Sequence, residues 1–181
     1  VGITSVHDAG VDVAQDRLYR AYADEGKLTA RVYGMIAGAE DAFDQLATQG
    51  PLKDYGNGMY ALRAVKLYSD GALGSRGAAL IKPYSDEAHS HGLLFYKAAQ
   101  MDAMMAKAMR KGYQVNVHAI GDAGNKQILD IYRKELKATG SAAQRHRIEH
   151  AQVVTPADIP RFRTLDIIPS MQPTHATSDK N

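Results

Sequence analysis

The sequence contains no cysteine. That absence excludes a disulfide framework and any thiolate-bound metal, and leaves the redox compartment undetermined. No apolar run approaches the roughly 18 residues of a membrane span, and no signal-peptide pattern opens the chain. Localisation stays open between cytoplasm and periplasm or secretion. Charge of neither sign dominates: 22 Lys and Arg face 20 Asp and Glu, for a formal net charge of +2 without blocks. Charge therefore gives no reason to expect a nucleic-acid or membrane partner. Linkers, low-complexity tracts and internal sequence repeats are missing too.

What remains is 181 residues, 45% hydrophobic and 23% charged, enough for one domain with a sizeable core. VGITSVHDAG opens almost directly inside a strand-like run without an initiator Met, and PSMQPTHATSDKN stops just past another. Both ends are expected to continue in a longer chain.

Short β-branched runs recur at residues 3–6, 30–36, 62–68, 113–120, 146–153 and 166–171. Helix-like segments follow them: one with Val13, Leu18, Tyr19 and Tyr22 at helical spacing, then EDAFDQLATQG, KAAQMDAMMAKAMRKG, NKQILDIYRKELKATG and PADIPRFRTL. In the fourth of these, Ile128, Leu129, Tyr132 and Leu136 form one stripe. Gly26, Gly50, Gly112 and Gly140 stand where helix C-caps are expected, and Pro156 at a helix start. The alternation predicts an α/β fold with six parallel strands covered by helices. An open doubly wound sheet and a closed barrel both satisfy it.

Chemistry collects at the C-terminal ends of these runs: His7-Asp8, Lys66 through Asp70, His118, His150 and His175. In parallel α/β folds those ends face the functional crevice. Alternate strand residues share a face. Lys66 and His118 thus oppose the apolar Val65, Leu67, Val115 and Val117, and are expected inside. For HRIEH the same parity places His146, Ile148 and His150 inside and Arg147 and Glu149 outside, which would leave two charges beneath helices. Each His has an ordinary alternative as a hydrogen-bonded core residue, and Lys66 as an ion-pair partner. Inward imidazoles on neighbouring strand ends are equally natural ligands for zinc and similar ions.

The stretches GITSVHDAG, VKLYSDGALGSRGAAL, VHAIGDAGN, RIEHAQ and PSMQPTH resemble, in order, motifs of the amidohydrolase superfamily of metal-dependent hydrolases. The likeness is to the amidohydrolase-3 type, which includes formamide deformylase-like enzymes and exoenzyme regulators. It implies a (β/α)8 TIM barrel of which this chain supplies roughly the second to seventh strands. It also implies one or two divalent ions, zinc foremost, at the C-terminal mouth. Lys66 matches the fourth-strand ligand, a lysine that carbon dioxide carbamylates in many members, and His118 and His150 match the fifth- and sixth-strand ligands. Carbamylation needs the neutral amine, which burial favours. The implied reaction is hydrolysis of an amide or other non-peptide carbon–nitrogen bond of a small molecule by metal-activated water. Asp70, Arg76 and His175 are candidates for binding substrate or for ordering loops, Asp122 for capping the next helix, and His7-Asp8 for supporting the ligands. Gly77 departs from the family, which usually has threonine there.

The family's first-strand His-x-His pair and eighth-strand catalytic Asp have no counterpart in the chain. His89 and His91 stand in the wrong order within a polar loop and are read as solvated. By itself the segment is thus expected to be catalytically silent. GALGSRG is spaced G-x-x-G-x-x-G, not as a dinucleotide fingerprint, and a Pro83-containing loop follows it. The alternative class is a barrel that kept its scaffold for regulation or small-molecule binding. Six parallel strands leave two unpaired edges. Sedimentation of the chain is therefore expected to show dimers or larger assemblies, and a strictly monomeric solution would count against this.

Overall fold

The computed structural model describes residues 2–178. Its elements in chain order are β1 (Ser5–Val11), α1 (Val13–Asp24), β2 (Arg31–Ala37), α2 (Asp41–Leu46), β3 (Leu52–Tyr55) and β4 (Tyr60–Tyr68). After a long loop come α3 (Ala98–Arg110), β5 (Gln114–Ala119), α4 (Asp122–Thr139), β6 (Arg147–His150), α5 (Ile159–Thr164), β7 (Ile168–Ser170) and α6 (Thr174–Ser178). One sheet runs β1-β2-β4-β5-β6-β7, parallel throughout, with β3 added antiparallel to β4.

Strand order thus follows chain order and never reverses, which decides for the barrel over the doubly wound alternative. The sheet also curls. Arg147 on β6 reaches His7 on β1 at 3.0 Å, although three strands lie between them in the sheet. A flat sheet with strands about 4.8 Å apart could not make that contact. The structure is therefore a partial barrel with its helices outside.

Between sheet and helices lies the core of Val65, Leu67, Val115, Val117 and Ile148 with Met101, Met105, Met109, Ile128 and Leu129. Buried Tyr132 of α4 donates to the carbonyls of Val115 and Arg147 at 2.9 and 3.0 Å, pinning its helix to two strands. Leu136 packs against the same cluster, completing the stripe read from sequence. Gly26, Gly112 and Gly140 turn the chain at or just after helix ends with positive φ.

Several expectations are corrected. β1 runs to Val11, so His7 and Asp8 lie within the strand and not at its end. β3 was not read from sequence, being four residues of which Lys53 and Asp54 are exposed. Gly50 precedes β3 and caps no helix. α5 begins at Ile159 with Pro160 in its first turn, three residues later than the Thr155-Pro156 reading. On α1, Leu18 and Tyr22 are exposed while Asp16 is buried, accepting from Tyr60 Oη and Arg20 Nε at 2.9 Å each.

The largest correction concerns β6. His146 and Ile148 face the helices, and Arg147 and Glu149 face the barrel interior. Register requires this: parallel neighbours opposite one another point the same way, and Asn116 and His118 pair with Arg147 and Glu149. His146 instead stacks on Tyr132 with ring centroids 5.6 Å apart. Its Nδ1 accepts from the Val115 amide at 3.0 Å, and its Nε2 lies 3.0 Å from Ser141 Oγ.

Burial lowers the pKa of His146 to about 4. The folded state therefore keeps the ring neutral where the unfolded chain, titrating near 6.5, takes up a proton. The unfolded state binds more protons, so stability contributed at neutral pH is lost as pH falls from about 6.5 to about 4, by about 3 kcal/mol in all. Urea denaturation across that window is expected to show the loss, and His146→Gln to flatten its slope.

Candidate metal centre

Three parallel strands build the site in layers. Lys66 of β4 pairs in register with Asn116 of β5, which pairs with Arg147 of β6. One step toward the C-terminal rim, Tyr68, His118 and Glu149 form the next row.

Lys66 is only 5% exposed. Its ammonium nitrogen sits over the Tyr68 ring, 3.6 Å from the centroid. Burial lowers its pKa to about 8, with Glu149 opposing and Arg147 adding to the shift. A free amine is thus within reach near neutral pH. Asn116 beside it is fully buried, and neither polar atom of its amide has a protein partner.

His118 lies edge-on to His150 with centroids 4.7 Å apart, and Tyr68 is 5.6 Å from His118 on another side. Burial, the neighbouring His150 and Lys66 lower the His118 pKa to about 4, so its ring is neutral, as a metal ligand must be. Its Nε2 lies 3.4 Å from the Gly71 carbonyl. His150 Nδ1 lies 2.8 Å from Gln172 Oε1, and its ring is 5.7 Å from that of His175. His118 and His150 therefore meet at the rim, and Lys66 lies one row below, with the Tyr68 ring between it and His118. His175 of α6 borders it, its buried Nδ1 lacking a protein partner. His150, Met171, Gln172, Pro173, His175 and Ala176 line a cavity of about 260 Å³ at this edge.

Arg147 and Glu149, excluded from the interior by simple parity, lie alongside, Arg147 level with Lys66 and Glu149 level with His118. Arg147 donates from Nε to Glu149 Oε1 at 2.7 Å and contacts His7 Nδ1 at 3.0 Å. Register with His118, once known, is the signal that finds them.

Asp70 lies against the site, its Oδ1 3.6 Å from His118 Nε2, while Arg76 is placed elsewhere. Asp70 is fully buried and accepts from the backbone amides of Ala79, Ile120 and Gly121 at 2.8–2.9 Å. Burial pushes its carboxyl up, but the three amide bonds oppose this and need the ionised form's lone pairs. It fastens the long β4–α3 loop to the β5–α4 turn. The glycines nearby serve that approach: a Cβ at Gly121 would lie 1.9 Å from the Ala79 carbonyl oxygen, and one at Gly124 would lie 2.8 Å from Asp70. Asp122 also holds the loop, accepting from the Ile81 amide at 2.8 Å, while Gly121 takes the N-cap position. Arg76 is exposed and bonded to Asp86 in its own loop at 2.8 Å. His89 and His91 are both exposed. Asp8 accepts from Tyr19 Oη at 2.5 Å, outside the cluster.

The donors fit a divalent ion conditionally. Among the described residues no three His, Asp or Glu side chains gather as a metal-binding group. Two imidazoles, His118 and His150, stand together, and the Lys66 amine with its lowered pKa is the further nitrogen nearby.

The model of the amidohydrolase family matches residues 1–181. The chain belongs to the amidohydrolase family. It is 39% identical over 118 residues, 65% of its length, to Protein LONG AFTER FAR-RED 3 of Arabidopsis thaliana, covering 20% of that protein. It is 31% identical to YtcJ of Bacillus subtilis strain 168, over 98% of this chain and 33% of that one. Among solved structures, an uncharacterized metal-dependent hydrolase from Pyrococcus horikoshii superposes with TM-score 0.84 at 32% identity, over 98% of this chain and 35% of that one. This amidohydrolase chain thus spans between a fifth and a third of the curated relatives named here. The match to the Pyrococcus hydrolase agrees with the partial TIM barrel.

Replacing Asp70 tests its structural part. Asp70→Asn puts an amide donor among three N–H groups. The change is expected to cost about 3 kcal/mol in urea denaturation.

Proposed function

We propose that this amidohydrolase segment forms part of the active site of a metal-dependent hydrolase that cleaves amide or related carbon–nitrogen bonds in small molecules. The observation that carries the reading is the contact of His118 and His150 at one strand-end rim, with Lys66 one row below. Family membership and the likeness to a solved metal-dependent hydrolase support the hydrolase class. The narrower bond type, zinc as the ion and a carbamate on Lys66 are parts of the proposal.

His118 and His150 would hold the ion through neutral imidazoles, and Lys66 through a carbamate made from its free amine and carbon dioxide. A divalent ion so held makes water acidic and polarises a carbonyl. The chain's own groups do the rest. Burial keeps the His118 ring neutral and lowers the Lys66 pKa to about 8, so a fraction of its amine is free near pH 7 to 8. Glu149, bonded to Arg147, sets a carboxylate in the same row as His118. The cavity at His150 and His175 offers Met171 and Pro173 as an apolar wall for an acyl or amine portion. Asp70 holds the loop bordering the rim, and Arg76 remains a candidate only for contacts at the loop surface.

Metal titration and a substrate screen test this together. The longer protein carrying the segment is expected to hold divalent metal and to hydrolyse small amides in a chelator-sensitive way. His118→Ala and His150→Ala are each expected to weaken zinc binding by more than about 100-fold, beyond typical losses from outer-shell changes. Unchanged zinc binding in both variants would overturn the proposal.

A further inference from the structure

In a regular strand His150 would not face the site at all. It pairs in register with Ala119, whose side chain lies in the core between sheet and helices. The ring reaches the rim because the backbone turns: φ is 75° at His150 and 44° at Ala151. Left-handed conformations at residues other than glycine are strained and persist only where the surroundings enforce them. Strand pairing thus no longer aims this side chain, and some other contact must.

That contact is the 2.8 Å approach of Nδ1 to Gln172 Oε1. Gln172 stands between β7 and α6, so it reaches the ring from a different part of the barrel. An amide oxygen can only accept, so Nδ1 carries the proton and Nε2 is left as the ring's lone pair. His118 has the opposite arrangement. Its Nε2 faces the Gly71 carbonyl, which also can only accept, leaving Nδ1 as its lone pair. The two rings, 4.7 Å apart, thus offer different nitrogens.

We propose that Gln172 is the positioning residue that fixes the tautomer and orientation of His150. Its value for metal binding rests on the reading of His150 as a ligand; its effect on the ring does not. Histidine ligands ordinarily donate their second ring N–H to such a partner, and losing it costs about 10–100-fold in metal affinity.

The test is nitrogen-15 NMR of the histidine rings in the metal-free chain, followed by zinc titration. Wild type is expected to show the Nδ1–H tautomer at His150 and the Nε2–H tautomer at His118. Gln172→Met, similar in size but without the acceptor, is expected to lose the Nδ1–H preference at His150 alone and to bind zinc about 10–100-fold more weakly. Gln172→Glu restores an oxygen acceptor and is expected to restore the tautomer. Persistence of Nδ1–H in Gln172→Met would overturn the proposal, whatever zinc does. A tautomer shift with unchanged zinc affinity would uphold Gln172 as the positioning residue and remove the metal reading of His150.

Discussion

The guanidinium of Arg147 lies inside the curled sheet, bonded to Glu149 on its own strand and to His7 on the strand at the sheet's far edge. Burying charge is costly unless it is paired and hydrogen-bonded, and removing one partner of a buried pair costs about 3–5 kcal/mol. The fork therefore constrains the barrel in two ways. It draws β1 toward β6 across the interior, and it holds a carboxylate one row above Lys66, level with His118. The rim chemistry is built on these layers: the same register that turns Arg147 and Glu149 inward turns Lys66 inward level with Arg147 and His118 level with Glu149.

A second constraint acts from outside the barrel. The β4–α3 loop has few apolar anchors of its own, and Ile81, Leu93 and Phe95 are exposed. Its inner segment is joined by Asp70 to the start of α4 through backbone amides. Close approach of Gly121 and Gly124 makes that junction possible, because side chains there would collide with Ala79 and Asp70. The motif VHAIGDAGN is thus two devices in sequence: a ligand-bearing strand end, then a docking surface for a loop.

Much of the architecture was legible beforehand, for particular reasons. Val65, Leu67, Val115 and Val117 alternate strictly with polar residues, so the faces of β4 and β5 were readable by parity, and Lys66 and His118 with them. The stripe on α4 was equally plain. β3 escaped because four half-polar residues carry no periodic signal. The apolar residues of α1 misled because Leu18 and Tyr22 stay exposed while Asp16 is buried among hydrogen-bond partners.

By itself the sequence determined the strand–helix alternation and the inward faces of Lys66 and His118, because side-chain period is a local property. His150 entered as a candidate through residue chemistry and the family resemblance. Tertiary structure decided which way β6 faces, since pairing with β5 outweighs the strand's own pattern. It also decided how His150 reaches the rim against that pairing, through left-handed backbone and a bond to Gln172. Sequential strand order and the Arg147 contact chose a curled barrel over an open sheet. Those are relations between distant segments, and no stretch of chain carries them alone.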